Sequence, residues 1–577
     1  QSGSRHLMAF LSLAIPPGVV KGATAYDSRG HWWDASQVRW RDGVMEPIGG
    51  WQRTTGTPLS GVPRGMYGWR SNADLAYICV GTETKLYVLE GGVYTDRTPS
   101  DLSPFDVGGT GFGVGPYGDD TYGTARTGGT GILSRQPFWS FANFGEDLLA
   151  VSTDDGRLLR WSPSGVVGAF KESGYATISS ISRSSNVVTV TTSAAHGYAT
   201  GYQITIRNCA TASFNGTFQN ITVTSSTEFT FAQTASNESA STGNVTPATP
   251  RDNKSVVVTP ERHVVLIGAG GNPRRVAWSS REDAFDWNFS STTNTAGYLD
   301  LDAKSELLTA KSVAQGTLIW SDRNLYLMRF IGLPFVYSIE EVGEVDALNG
   351  TAIATFGGRS VWMTKDGFAY YDGQLRPLAS PVGRYIFNDM DPTYGPIRAF
   401  ASAHGIFPEV WFFYPSNGSD ECDKYAIWNY QDDWWSIGTL SRSAMVAAGT
   451  LKYPYMATVA GNVYEHESGW TDEGNSRVGQ IYCESGVLNL ADSERELAIM
   501  QAIPASGTGT QTLKAQFYSR QTTGGTERSY GPYNTRSDGY MDTRVQGRDI
   551  RIRVSGNSDS QWSVGTWRLK YKEGARR

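Results

Sequence analysis

Apolar and polar positions along this chain fall into a recurring unit. An apolar strand is followed by two to four small or charged residues, often Gly or Asn, and then by an apolar-aromatic pair that opens the next strand. Copies stand at residues 80–87, 151–158, 320–326, 363–368 and 459–464. Each has a turn centre that tolerates positive φ between segments that gain by burial, which is the signature of a β-hairpin. Leu325 and Phe368 are 43 residues apart and Phe368 and Val463 are 95 apart, with a longer hairpin from Trp411 to Trp428 in between. A period in the forties is that of a four-stranded propeller blade. The first two copies lie 72 residues apart, which leaves an irregular meander of hairpins as the competing reading.

The pattern changes at about Glu172. From Tyr175 to Val245 the chain is rich in Thr, Ser and Asn and alternates in short runs, as in Val188-Thr189-Val190-Thr191. This predicts a small β-domain inserted into the larger one. Blade-like sequence resumes at residues 255–258, and a second break falls near 474–480. Beyond it, residues 548–554 and 567–571 alternate strictly, as half-buried strands of a terminal β-sandwich do. The expected fold is therefore all-β, a β-propeller-like body with an inserted small β-domain and a C-terminal β-sandwich. Its expected divisions are 1–172 for the N-terminal segment and first blades with a Gly-rich loop, 173–250 for the insert, 251–478 for the remaining blades and 479–577 for the sandwich.

Composition agrees with many short strands and tight loops: 577 residues, 39% hydrophobic and 18% charged, with 66 Gly, 29 Tyr, 23 Phe and 18 Trp. That length exceeds the usual span of one hydrophobic core. The 50 basic and 56 acidic residues give a net charge of -6, which argues against a protein that grips phosphate backbones. A neutral or acidic wall instead lets a polyanion slide past. The four cysteines, Cys79, Cys209, Cys422 and Cys483, have no CxxC spacing and are expected to be buried free thiols. The apolar stretch from Leu7 to Ile15 ends at Pro16-Pro17-Gly18, well short of the roughly 20 residues that span a membrane.

Candidate chemistry is sparse. Gly111-Phe112-Gly113-Val114-Gly115, inside the Gly-rich segment 108–131, lacks the Gly-Lys-Ser/Thr ending of a phosphate loop. That segment buries too little to offset its ordering entropy and is expected to be an exposed loop. Ser152-Thr153-Asp154-Asp155-Gly156 fits the S-x-D-x-G hairpin turn called the Asp box, found in sialidase propellers among others and structural even in those enzymes. Asp389 with Asp391 and Glu340 with Glu341 are formal carboxylate pairs, but spacing alone cannot set them across a glycosidic bond. Residues 417–423 carry oxygen ligands at alternate positions, without the distal Glu of a calcium loop. His6, His31, His196, His263, His404 and His466 form no HExxH or i,i+4 pair. No catalytic, cofactor-binding or metal-ligating residue is assigned and no cofactor is expected.

Gln37-Val38-Arg39-Trp40-Arg41-Asp42-Gly43, Glu46-Pro47 and Gly49-Gly50-Trp51 stand in the order of the opening of podovirus tail nozzle proteins, also called tail tubular proteins of the B type. The likeness continues through the Tyr-Gly-rich loop ending at Arg135, residues 138–149, Val276-Ala277-Trp278-Ser279 with Asp283 and Trp287, and Trp362-Met363 with Gly367-Phe368 and Tyr371-Asp372-Gly373. It runs on through residues 409–415, then Asn429-Tyr430 and 434–438; Trp562, Gly565 and residues 567–569 are similar but less specific. The insert resembles a small β-domain recurrent in phage tail and fibre proteins, through His196-Gly197, Gly201 and residues 214–218.

The resemblance implies a structural virion protein and not an enzyme: a propeller-containing subunit of a homo-hexameric ring, docked under the portal and adaptor rings and flanked by tail fibres or spikes. Phage double-stranded DNA would pass through its lumen without sequence-specific binding, and loops of the propeller and terminal domain would narrow that lumen before ejection. Two other readings compete, a receptor-binding tail protein whose propeller face and insert recognise host surface glycan, and a secreted propeller hydrolase.

Overall fold

The computed structural model describes residues 9–22, 24, 27–105, 138–164, 168–302, 305–488, 490, 496–506, 513–522 and 525–573. The Gly-rich segment 108–131, Arg135, His6 and the terminal Arg576-Arg577 lie outside the described residues.

Among the described residues, seven antiparallel sheets of four strands each make up the body. Blade 1 is a meander of Pro63–Arg70, Ala76–Thr82, Leu86–Glu90 and Val93–Asp96. Blades 2 to 6 begin at Trp139–Phe144, Ser255–Val258, Leu307–Val313, Ile353–Phe356 and Phe400–Ala403, and blade 7 at Ala444–Val446. These first strands lie side by side in sequence order, and that of blade 7 returns against that of blade 1, so the blades close a ring around an axis. Blades covered on both faces need strands that are apolar almost throughout. In blade 6, all six residues of Glu409–Tyr414 are buried, as are five of the six in Lys424–Asn429. Tryptophans fill the gaps between blades; Trp320 of blade 4 meets Trp362 of blade 5 edge to face, with ring centroids 5.6 Å apart.

The last blade is completed from the other end of the chain. Its fourth strand is Trp51–Arg53, whose Trp51, Gln52 and Arg53 pair with His466, Glu465 and Tyr464. Two distant segments thus share one ladder, and the ring cannot open without breaking it.

The N-terminal division expected for residues 1–172 is crossed by the fold. Ala9–Leu13, Val38–Arg41 and Val44–Pro47 join Leu497–Ser506, Met541–Gly547 and Val564–Glu573 in one sheet of the terminal sandwich. Trp32–Ser36 joins the other, with Tyr482–Ser485, Leu513–Arg520, Arg528–Asn534 and Asp549–Gly556. Ala9–Leu13, Trp32–Ser36, Val38–Arg41 and Val44–Pro47 are therefore sandwich strands and not part of the first blades; strand pairing over hundreds of residues leaves no local mark in the pattern. The sandwich core runs on into blades 5 and 6, where Trp40 meets Trp434 edge to face at 5.5 Å.

The insert leaves and re-enters the body side by side, with Ala176 opposite Val245 in an antiparallel pair. It has its own core around Ile181, Val190, Ile204, Phe214 and Phe229. A loop of blade 3 holds it, through Asn288 donating to the Gly201 carbonyl at 2.9 Å and a hydrogen bond from the Tyr202 hydroxyl to Asp283.

Candidate functional site: the propeller axis, its mouth and the buried joint

The first strands of the blades enclose an axial cavity of about 240 Å³, lined among others by Tyr67, Phe141, Lys311, Thr351, Ser402 and Met445. Burial pushes the Lys311 amine below the usual lysine range.

Above it, sharing Phe138 and Gly350 with it, opens a cavity of about 610 Å³ walled by Asp154, Asp252, Lys254, Glu306, Asp322 and Lys365. These residues sit on the turns between the second and third strands of blades and on the links from one blade to the next. The link from blade 5 to blade 6, which carries helices Gly383–Asp389 and Gly395–Arg398, brings Pro396 and Ile397 to the wall. Among these, Lys254 bridges to Glu306. Arg64 of blade 1 bonds Glu83 at 2.7 Å and Glu421 of blade 6 at 2.5 Å. Burial alone would lower the Arg64 guanidinium, but the bonds and charges of Glu421 and Glu83 outweigh it and leave it raised. Such an arrangement ties blades together.

The residues singled out from sequence are dispersed. In the Asp-box turn, the Ser152 hydroxyl accepts the Asp155 amide at 3.0 Å, and Asp155 binds the Arg157 guanidinium at 2.7 Å. Asp389 pairs with Lys424 at 2.8 Å. Asp391 accepts the amides of Tyr394, Gly418 and Thr393, which hold its carboxyl below the usual range. Glu340 faces Arg329 while Glu341 accepts from Asn324, as neighbours on a strand point to opposite faces. In the 417–423 turn, Glu421 is committed to Arg64 and Asp423 to Ser416. The four cysteines are buried free thiols, and burial raises Cys79, Cys422 and Cys483. His263 lies between the Tyr337 hydroxyl at 2.9 Å and Thr295 at 3.1 Å, and burial pushes it down to about 4. Among the described residues, no group of three or more His, Cys, Asp or Glu side chains is placed to hold a metal ion.

Sequence reasoning missed a buried charged cluster at the joint between sandwich and propeller. Arg39, on a sandwich strand, donates to Glu409 of blade 6 at 2.9 Å and to Glu467, which follows the third strand of blade 7, at 2.7 Å. Glu467 also accepts the Gly49 amide at 3.0 Å and faces His404 at 3.3 Å. Burial would raise the Glu467 carboxyl, but the charge of Arg39 and the contact with His404 hold it well below the usual range. Nearby, Arg477 donates to Gln37 at 2.9 Å and to the Ile48 carbonyl, and burial pushes it down to about 10. The sequence signal was Arg39 standing between the apolar Val38 and Trp40 in the N-terminal motif.

No family model and no curated protein matches this sequence. Among solved structures, Hsv2 of Kluyveromyces lactis is similar at 7% identity and a TM-score of 0.25, over 66% of this chain and 98% of that one. The endosialidase of phage phi92 is similar at 12% identity and a TM-score of 0.20, over 77% of this chain and 64% of that one. Likeness at these scores carries no inference about activity.

Proposed function

We propose that this chain is a structural subunit of a short phage tail, the nozzle through which the genome leaves. The observation that carries the reading is where the family-like motifs meet. Residues 37–51, 409–415 and 429–438 are far apart in sequence, yet Arg39, Glu409, Trp434 and Trp51 all fall in the buried joint and ring closure. The resemblance thus concerns the residues that make the body rigid, as a load-bearing wall requires.

In this reading the chain assembles as a six-membered ring under the adaptor, holds fibres or spikes, and has no catalytic role. The axial cavity is too small for a duplex, so the DNA path runs between copies of the chain and not through a propeller. Cryo-EM of purified particles, or mass photometry of the chain with and without the adaptor, tests this. A sixfold ring is the expected result; a chain absent from particles and monomeric under both conditions overturns it.

A further inference from the structure

The wall of the axial cavity holds two cations, Arg64 and Lys311, and no carboxylate among the described residues. The cavity at the mouth differs, with Asp154, Asp252, Glu306 and Asp322 in its wall. Arg64 is already neutralised from outside the wall by Glu83 and Glu421. Lys311, on the first strand of blade 4, is not. Whereas Lys21, Lys254 and Lys424 each meet a carboxylate, Lys311 has no hydrogen bond or ion pair with any described residue, and burial is the one influence on its amine.

An ammonium in such a place costs free energy unless opposite charge or acceptors meet it. The backbone around it does not decide the sign of a ligand. Each of the seven first strands is paired along one edge only and lies against the first strands beside it, which turns its other edge to the axis. A strand edge offers N–H and C=O groups in alternation and favours neither sign, so the uncompensated Lys311 sets it. Thr355, on the first strand of blade 5, adds a hydroxyl that either donates or accepts. Size narrows the class of ligand. The cavity of about 240 Å³ lies below the roughly 300 Å³ at which pockets for organic ligands begin, and Tyr67, Phe141, Phe400 and Met445 wall it with bulky groups.

We infer that the axial cavity is a binding site for a small inorganic anion, a halide or a tetrahedral oxyanion, which pairs with the Lys311 ammonium and has the Thr355 hydroxyl and the free edges of the first strands as its further donors. The bound ion fastens blade 4 to the other blades at the axis. This stands on the propeller alone: the ion binds or fails to whether or not the chain forms a tail ring.

The test uses the full chain in two arms, sodium bromide for halides and sodium selenate for oxyanions. Both ions are located by anomalous scattering in crystals grown in gluconate, a larger organic anion, and then soaked. The expected result is a peak in the axial cavity within hydrogen-bond reach of Lys311 Nζ, and the arm that shows it names the class. In solution, replacing gluconate stepwise by that anion at constant ionic strength should raise the wild-type melting midpoint saturably, and Lys311→Met should weaken the apparent affinity at least about tenfold. No axial peak in either arm overturns the proposal and leaves the amine uncharged or held by water. Peaks confined to the surface, an adventitious ion only, overturn it too, as does a wild-type midpoint that does not respond. So does a Lys311→Met chain that keeps the axial peak or the full midpoint rise. The wild-type crystals decide the matter even where that variant fails to fold.

Discussion

Arg39 and Glu409, 370 residues apart in sequence, meet at 2.9 Å with their side chains 2% and 1% exposed. Removing one partner of such a pair strands a buried charge, whereas replacing both with apolar groups does not. Arg39→Met strands both Glu409 and Glu467 and should cost about 3–5 kcal/mol in chemical denaturation; Glu409→Leu, which leaves Arg39 its bond to Glu467, should cost less, and the double variant should recover part of the Arg39→Met loss while Glu467 stays unpaired. Additive losses would show that the two residues act independently.

The insert should be removable. Its two ends run paired at Ala176 and Val245, and the Tyr198 hydroxyl clamps them by donating to the Gly174 carbonyl at 2.6 Å. A short Gly-Ser link in place of residues 175–246 therefore spans only one inter-strand distance, about 5 Å. The excised chain should melt cooperatively and keep its oligomeric state in sedimentation. Aggregation or a changed oligomeric state would mean that the blade 3 loop depends on the insert for its order.

Acid should weaken blades 3 and 4 through His263. Burial, with the charge of Arg281 acting in the same direction and that of Glu261 opposing, holds it down to about 4 from 6.5. Between those values the unfolded chain binds the proton and the folded chain does not, so stability falls as pH drops from 6.5 through 4 and is flat above 6.5 on this account. The loss should be on the order of 2 kcal/mol. His263→Asn, which keeps a partner for the Tyr337 hydroxyl but does not titrate, should flatten this part of the profile in urea titrations at stepped pH.

Ring closure should be sensitive at Gly461, which sits at φ +79° where an added Cβ would lie 2.1 Å from the Leu59 carbonyl oxygen. Gly461→Ala meets both backbone strain and a clash with main chain, and should cost about 2 kcal/mol or more in denaturation. Gly418→Ala, also at positive φ but with open space around it, should cost less. Equal losses would mean that strain alone matters there.

Local chemistry was enough to place the hairpins. The copies at residues 80–87, 151–158, 320–326, 363–368 and 459–464 are the turns between second and third strands of blades 1, 2, 4, 5 and 7, because turn residues and strand burial are set by near neighbours. The uneven 72-residue spacing, which left an irregular meander as the competing reading, arises because 42 residues separate the last strand of blade 1, ending at Asp96, from the first strand of blade 2, beginning at Trp139. The insert stood out for the same local reason, its change of composition. What only the tertiary structure decided was partnership: that Trp51–Arg53 closes the seventh blade, that the strands Ala9–Leu13, Trp32–Ser36, Val38–Arg41 and Val44–Pro47 belong to the sandwich, and that Arg39 finds Glu409 and Glu467. A strand's pattern records that one face must be buried, but the surface that buries it is set by the closed ring as a whole, and no single segment of sequence carries that information.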